Sequence, residues 1–182
     1  MAGQQFDYGM IGLGTMGRNL VYNMSDNGFF VVGFDKDLTK VDALEQESMY
    51  RAVRGARTVE EFIASLKTPR VILMLVPAGK IVDSVIEELK PFLSKDDLLV
   101  DCGNSHFTDT DRRVANLAKE NIHFMGVGVS GGESGARRGP SIMPGGSPDA
   151  YQRIAPMLEA VTAKVNGEPC VAYLGAGSAG HY

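Results

Sequence analysis

YGMIGLGTMG, residues 8–17, begins as a short apolar run and ends in three glycines with the spacing G-x-G-x-x-G. The run predicts a strand, and the glycines predict a tight turn into a helix. Gly12 tolerates positive φ, Gly14 has no Cβ to hold phosphates away, and Gly17 lets the helix lie close to the strand. The free N–H groups of the first helical turn favour an anion. The predicted dinucleotide-binding residues are Gly12, Leu13, Gly14, Thr15, Met16 and Gly17.

The spacing by itself is a weak signal, because glycine makes up 22 of the 182 residues. The alternative interpretation is a purely structural turn. Its position between an N-terminal apolar run and the helix-compatible residues 18–24 favours dinucleotide binding.

A second apolar run, Phe29–Phe34, follows the helix, which Asn27-Gly28 is predicted to end through a left-handed cap. Asp35 comes directly after this run and 18 residues beyond Gly17. An acidic residue near this point accepts hydrogen bonds from the adenosine ribose in dinucleotide-binding folds. The alternative for Asp35 is a turn or helix cap, and Asp37 is the better candidate for that role.

The middle of the chain predicts further alternation of helices and strands. Residues 38–47 predict a helix, 51–57 an irregular link, and 58–66 a helix opened by a Thr58–Glu61 capping box. Val71–Val76 predicts a buried parallel strand, and Val76, Pro77 and Ala78 at its carboxyl end are expected near the cofactor. A helix is predicted over 80–92, with Ile81 or Val82 within reach of an adenine.

The strand predicted at Leu98–Val100 ends in the small polar run Asp101-Cys102-Gly103-Asn104-Ser105. The following helix, 108–120, is predicted to place Asp109, Asp111, Arg112 and Arg113 on a solvated face. The next strand, 122–127, has His123 near its start, at the amino edge and away from the ligand side. His123 is therefore interpreted as a surface or packing residue.

Residues 128–146 are rich in glycine and predict neither a helix nor a strand interior over most of their length. Ser130-Gly131-Gly132 offers backbone N–H groups and a hydroxyl to a small anionic ligand, whereas a flexible linker is the alternative. Met143-Pro144-Gly145-Gly146 resembles a strand ending in a forced turn. Ser147-Pro148 opens a helix over 149–161, and 170–174 predicts a final strand.

The predicted fold class is α/β: a single, Rossmann-type, doubly wound domain over 1–182 with a mostly parallel sheet and helices on both faces. The net charge of −4 without a basic run disfavours nucleic acid and anionic membranes as partners. No apolar run is long enough to span a membrane. The two cysteines show no C-x-x-C spacing and the three histidines are scattered, which predicts a reduced, cytoplasmic protein without a metal site.

The chain resembles the N-terminal coenzyme-binding domain of the 6-phosphogluconate dehydrogenase family, within the broader β-hydroxyacid dehydrogenases. The resemblance covers nearly the whole chain. It is carried by the Gly12–Gly17 loop, where many members have Ala at the position of Gly14, by Asp101-x-Gly103-Asn104-Ser105, and by the run from Ser130 to Gly146. Relatives acting on hydroxyisobutyrate or tartronate semialdehyde share the shorter Ser-Gly-Gly and Gly-Ala pattern, but lack Asn104 in that setting and the Gly-Pro-Ser-x-Met-Pro-Gly-Gly run.

The resemblance implies an oxidoreductase that oxidises the C3 hydroxyl of 6-phosphogluconate with NAD or NADP and releases carbon dioxide and ribulose 5-phosphate, a step of the pentose phosphate pathway. It implies substrate contacts at Asn104, Ser130, Gly131 and Gly132, with Asn104 also near the nicotinamide. The family's catalytic lysine, a later glutamate and most of the homodimer interface belong to a helical second domain. We therefore expect residues 1–182 to bind coenzyme without turning over substrate. A non-catalytic dinucleotide-sensing domain is the alternative from another class.

Two departures from the family bear on the coenzyme. Members that use NADP have Asn-Arg-Thr where this chain has Asp35-Lys36-Asp37, and all three residues are predicted to bind the cofactor. A carboxylate accepts from a free 2′-hydroxyl and repels a 2′-phosphate, which favours NAD, whereas Lys36 and the family pattern favour NADP. Pro77 stands where many relatives have Lys, which removes a pyrophosphate contact and a backbone donor. The sequence thus predicts a preference for NAD.

Overall fold

A computed structural model describes residues 5–182 and contains a seven-stranded sheet. Its first six strands are parallel and the last is antiparallel to its neighbour. In chain order these strands are β1 (Tyr8–Ile11), β2 (Val31–Phe34), β3 (Val53–Ala56), β4 (Val71–Met74), β5 (Leu98–Asp101), β6 (His123–Ser130) and β7 (Ser141–Gly145). Their spatial order, β3-β2-β1-β4-β5-β6-β7, reverses direction between β1 and β4, where ligands bind in sheets of this type. A small separate hairpin pairs β8 (Lys164–Val165) with β9 (Glu168–Pro169).

Helices cover both faces of the sheet. The helices are α1 (Thr15–Asp26), α2 (Leu38–Ser48), α3 (Val59–Ala64), α4 (Lys80–Leu89), α5 (Phe107–Ala118), α6 (Gly132–Arg138) and α7 (Pro148–Val161), with a 3-10 turn, Lys90–Phe92, after α4. Because side chains alternate along a strand, Leu73 belongs to the core under α1, α2, α6 and α7 on one face, and Ile72 belongs to the core under α3, α4 and α5 on the other. The predicted fold class is confirmed.

The predicted helix caps are observed, although the Thr58–Glu61 capping box forms only in part, because the Glu61 carboxylate accepts from the Arg57 N–H instead of the Thr58 N–H. The Asp37 carboxylate accepts from the Thr39 N–H at 3.1 Å and caps α2, which leaves Asp35 free of that role. The Thr58 hydroxyl accepts from the Glu61 N–H at 3.1 Å at the start of α3. Gly28, with φ +91°, follows the end of α1.

Two of the secondary-structure predictions, for residues 51–57 and for the glycine-rich run 128–146, are wrong. The link predicted at 51–57 contains β3, whose short sequence Val53-Arg54-Gly55-Ala56 has too few apolar residues to predict a strand and forms one by pairing with β2. The glycine-rich run contains α6, because packing against α1 stabilises the helix despite Gly132 and Gly135. Within that contact, the Asn23 side-chain amide donates to the Ala136 carbonyl at 3.1 Å.

The strand predicted at 170–174 is also wrong as a regular strand, although the segment runs parallel to β7. The Ile142 N–H donates to the Cys170 carbonyl at 3.0 Å, and the Leu174 N–H donates to the Pro144 carbonyl at 2.9 Å. Pro144 has no N–H, so one bond of the ladder is missing. Further on, Gly180 lies so close to β6 and β7 that an added Cβ would be 2.2 Å from the Gly126 carbonyl oxygen. Residues 170–175 thus cover the outer edge of β7, and Gly180 packs against the β6–β7 pair.

Candidate functional site

A cavity of about 420 Å³ lies at the carboxyl ends of β1, β2 and β4. Its volume falls in the range of small-molecule sites. One wall is the glycine loop with the residues that follow β2, and the opposite wall is α4. The lining residues are Ile11, Gly12, Gly14, Phe34, Asp35, Lys36, Lys40, Val59, Leu75, Val76, Pro77, Ile81, Ser84, Val85, Glu88 and Leu89.

The glycine loop has the geometry that its sequence predicts. Gly12 has φ +94°, and a Cβ there would lie 2.3 Å from the Leu75 carbonyl oxygen. A Cβ on Gly17 would lie 1.9 Å from the Gly12 carbonyl oxygen, so α1 packs directly on the turn. Around Gly14, by contrast, an added Cβ meets nothing within 4 Å. The backbone is therefore tight on its protein side and open on the side of the cavity.

The residues between these glycines have different positions. The Leu13 side chain is buried in the core and only its N–H faces the residues after β2. Thr15 is exposed and Met16 is half-buried in the first turn of α1, where backbone N–H groups have no helical acceptor. Their predicted contact with phosphates stays a prediction.

Asp35 is joined to the glycine loop. One oxygen of its carboxylate accepts from the Leu13 N–H at 2.8 Å and lies 3.5 Å from the Lys40 ammonium, and the other accepts from the Asp37 N–H at 2.9 Å. The side chain is 12% exposed. A carboxylate has about four lone-pair positions, so acceptor capacity remains toward the cavity.

Not every residue predicted beside the cofactor lies at the cavity. Lys36, Val76 and Pro77 line it, and the Lys36 ammonium is 2.8 Å from the Glu88 carboxylate of α4. Asp37 and Ala78 are exposed residues outside the lining. Ile81 lines the cavity with half of its side chain exposed, whereas Val82 is buried in the core.

The loop after β5 is folded around a buried carboxylate. Asp101 accepts from the Gly103 N–H at 3.0 Å and from the Ser105 hydroxyl at 2.5 Å. Asn104 lies between these two anchored residues and is exposed. Burial, with a smaller contribution from the Asp101 charge, raises the pKa of the adjacent Cys102 thiol well above its usual range. The loop thus presents the Asn104 amide on a rigid support.

Ser130, Gly131 and Gly132 lie beyond the edge of the parallel sheet. β5 pairs with β6 only as far as Gly126, and residues 127–130 continue in a ladder with β7 alone. Ser130 ends that extension, and Gly131 and Gly132 turn the chain into α6 with φ +134° and +58°. All three are exposed. Because β5 and β6 are neighbours, the Asn104 loop and the end of β6 lie at the same edge of the sheet.

Arg113 is buried, so the prediction that it belongs to a solvated face is wrong. Its side chain is 2% exposed. The guanidinium donates to the Ser105 hydroxyl at 3.1 Å, to the Gly79 carbonyl at 3.0 Å and to the Asp83 carboxylate at 2.8 Å, and it lies 3.6 Å from Asp101. These bonds from Arg113, together with those from Arg112, lower the pKa of Asp83 despite its partial burial.

The sequence contains one signal that indicates that Arg113 is buried. Thr110, Arg113 and Leu117 are the buried residues of α5, and their spacing of three and four matches one helix face. Arg113 joins the loop after β4 to the loop after β5, which are the two loops expected near coenzyme and substrate.

His181 lies beside this network of hydrogen bonds. The sequence alone assigns it no role and shows it only as one of three scattered histidines. Its Nδ1 is 2.8 Å from the Thr110 hydroxyl oxygen. Burial lowers the pKa of His181, and the nearby Asp101 opposes that shift. Burial therefore favours the neutral form of this imidazole.

Among residues 5–182, no three His, Cys, Asp or Glu side chains are grouped as metal ligands. Within the same residues, no helix has the length and apolar character needed to cross a bilayer. The sheet edge offers a glycine loop, the carboxylates of Asp35 and Glu88, the Asn104 amide and the Ser-Gly-Gly turn. These groups suit the positioning of ligands.

Comparison with known proteins identifies relatives of this arrangement. Residues 7–175 match the family model described as the NAD binding domain of 6-phosphogluconate dehydrogenase. An NADP(+)-dependent, decarboxylating 6-phosphogluconate dehydrogenase of Bacillus subtilis is 49% identical over 96% of this chain and 37% of its own length. A decarboxylating 6-phosphogluconate dehydrogenase of Schizosaccharomyces pombe is 51% identical over 97% of this chain and 36% of its own length.

A solved structure gives the same result for the fold. The Plasmodium falciparum 6-phosphogluconate dehydrogenase, described in its apo form and with NADP+ or 6-phosphogluconate, superposes with a TM-score of 0.93. It is 38% identical and is matched over 97% of this chain and 38% of its own. The chain thus spans little more than a third of the length of these relatives.

Proposed function

This chain belongs to the family of 6-phosphogluconate dehydrogenase NAD-binding domains, and on that premise we propose that it binds the coenzyme of an enzyme that oxidatively decarboxylates 6-phosphogluconate. The observation that carries the proposal is the cavity of about 420 Å³ between the glycine loop, Asp35 and α4. The open space around Gly14 fits the phosphates of a dinucleotide, because backbone there can approach them without a Cβ between.

The proposed roles divide between two regions of the sheet edge. Gly12, Gly14 and the first turn of α1 hold the pyrophosphate, and Asp35 accepts from the adenosine ribose. Asn104 and the turn from Ser130 to Gly132 hold the carboxylate and hydroxyls of the sugar acid. Arg113 keeps the Asn104 loop in place. The coenzyme, when bound, supplies the acceptor for the hydride removed from the substrate.

In the proposed reaction, oxidation of the C3 hydroxyl and loss of carbon dioxide convert 6-phosphogluconate to ribulose 5-phosphate while NAD(P)+ is reduced. We assign neither the general base nor the general acid to residues 5–182. We place those groups, and the homodimer interface, in polypeptide corresponding to the remaining two-thirds of the relatives. The free cysteines support a reducing, cytoplasmic location.

Within this function we propose that NAD is preferred over NADP. Asp35 offers an acceptor to a free 2′-hydroxyl and repels a 2′-phosphate, and its low exposure strengthens both effects. Two of the relatives are described with NADP(+) or NADP+. The proposed preference for NAD therefore distinguishes this chain from those two relatives.

Calorimetric titration of NAD and NADP into residues 1–182, side by side, tests both parts. We expect NAD to bind more tightly, and Asp35→Asn to weaken NAD by roughly tenfold, since a hydrogen bond to a charged group contributes about 1.5 kcal/mol or more. Asp42→Asn is the control, because Asp42 is a half-exposed residue of α2 that pairs with Arg57 and is not among the residues that line the cavity. Tighter binding of NADP by the unchanged chain contradicts the NAD preference, and binding of neither contradicts the coenzyme function.

A further inference from the structure

The cavity is lined by four charged side chains, Asp35, Lys36, Lys40 and Glu88, whose formal charges cancel. Both lysines are paired. The Lys36 ammonium is 2.8 Å from the Glu88 carboxylate, and the Lys40 ammonium is 3.5 Å from Asp35. At this cavity, therefore, each cation already has a carboxylate partner.

The Lys36–Glu88 pair links two different walls. Lys36 follows β2, immediately after Asp35, whereas Glu88 lies in the last turn of α4. The pair directs the Lys36 ammonium toward α4, and it places a second carboxylate on the wall opposite Asp35. Lys36 is also the residue whose position in the sequence favours contact with a 2′-phosphate.

We propose that Glu88 is a coenzyme-specificity residue that disfavours NADP by pairing with Lys36. This inference rests on the proposed coenzyme function and deepens it. Asp35 selects for a 2′-hydroxyl by accepting its hydrogen bond, whereas Glu88 selects against a 2′-phosphate by engaging the nearest cation and adding negative charge to the cavity.

The physical argument is a competition between anions. A phosphomonoester carries a charge of about −1.5 to −2 at pH 7 and needs cationic partners when it binds. A 2′-phosphate at this cavity has to share Lys36 with Glu88 or Lys40 with Asp35, or displace those carboxylates. A 2′-hydroxyl brings no charge and leaves both pairs intact. The Lys36 and Glu88 side chains are 65% and 38% exposed, so water screens the competition and the effect is moderate.

The test compares Glu88→Gln with Glu87→Gln by calorimetric titration of NAD and NADP into residues 1–182. Both changes remove one negative charge from α4, but Glu87 is outside the cavity lining, with its side chain 71% exposed and 3.6 Å from Lys90. We expect E88Q to tighten NADP binding roughly three- to fivefold, and NAD binding less than about twofold, as moderate charge interactions allow. E87Q is expected to leave both affinities within about twofold.

The double variant K36Q/E88Q tests whether Glu88 acts through Lys36. Against the single variant K36Q, the added change E88Q is expected to give a smaller gain in NADP affinity than it gives in the unchanged chain. An unaltered NADP-to-NAD ratio in E88Q, or an equal shift in E87Q, overturns the inference while the coenzyme function stands. If the unchanged chain binds neither dinucleotide, the proposed function fails and this inference fails with it. Thermal melting of each variant verifies that it is folded.

Discussion

Gly14 and Gly17 belong to the same turn but differ in how much space surrounds them. A Cβ on Gly17 would overlap the Gly12 carbonyl oxygen at 1.9 Å, and that oxygen is backbone and cannot rotate away. Gly14 has φ −62° and open space around the position of a Cβ. The two glycines therefore have separate functions, one in packing and one in leaving room for a ligand.

Alanine at each position separates these functions. We expect Gly17→Ala to lower the free energy of unfolding by about 2 kcal/mol or more, because the overlap forces the backbone to move. Gly14→Ala is expected to stay within about 1 kcal/mol of the unchanged chain, since its backbone conformation suits any residue. Urea denaturation measures both, and an equal loss of stability in the two variants would contradict the assignment.

Whether the sequence predicts the role of a residue depends on how far along the chain its hydrogen-bonding or ion-pair partner lies. Asp37 and Thr58 cap helices through groups two or three residues away, and such roles follow from local sequence. Glu88 and Lys36 meet only because the fold brings α4 to the residues after β2. No local sequence pattern predicts that contact, so Glu88 is absent from the predicted site.

At the scale of the element, α5 contributes two adjacent arginines with opposite environments. Arg112 is 48% exposed and Arg113 is 2% exposed, although both pair with Asp83. Only Arg113 reaches Ser105 and Gly79 and lies near the buried Asp101. It is the residue through which α5 holds the two loops together.

Methionine substitutions test that difference with nearly equal side-chain size. Arg113→Met is expected to lower the free energy of unfolding by about 3 kcal/mol or more, because it leaves Asp101 buried without its cation. Arg112→Met is expected to change it by less than about 1 kcal/mol, as is usual for an exposed ion pair. Chemical denaturation at pH 7 compares the two, and a loss in R112M as large as that in R113M would show that burial of the guanidinium does not matter.

Elements with strong periodicity or clear caps follow from the sequence, and elements stabilised by their neighbours do not. The apolar run 71–76 predicts β4 because every residue of that strand is buried. β3 and α6 lack such a pattern, since Gly55 and Gly135 reduce the local preference for strand and helix. β3 depends on its ladder with β2, and α6 depends on its packing against α1.

At the scale of the molecule, the alternation of strands and helices predicts the doubly wound sheet and the edge at which ligands bind. It does not predict the extension of β6 and β7 beyond β5, because that depends on the register of an antiparallel pair. Nor does it predict that residues 170–175 cover the outer edge of β7, or that the residues after them bring His181 to Thr110.

The covered edge of β7 and the core each contain one cysteine, and the two thiols are expected to react at different rates. Cys170 lies at the start of the segment along β7 and is half-buried, whereas Cys102 is 4% exposed. Only a thiolate reacts with alkylating reagents, and burial disfavours that form at Cys102. The two thiols therefore report separately on local opening of the edge and on unfolding of the whole domain.

We expect an alkylating reagent in native buffer to modify Cys170 first, at a rate that changes little with dilute urea. Cys102 is expected to react far more slowly, with a urea dependence equal to that of global unfolding. Mass spectrometry of timed samples distinguishes the two sites. Equal rates would mean that the edge and the core open together. Unequal rates would show that Cys170 becomes accessible independently of global unfolding.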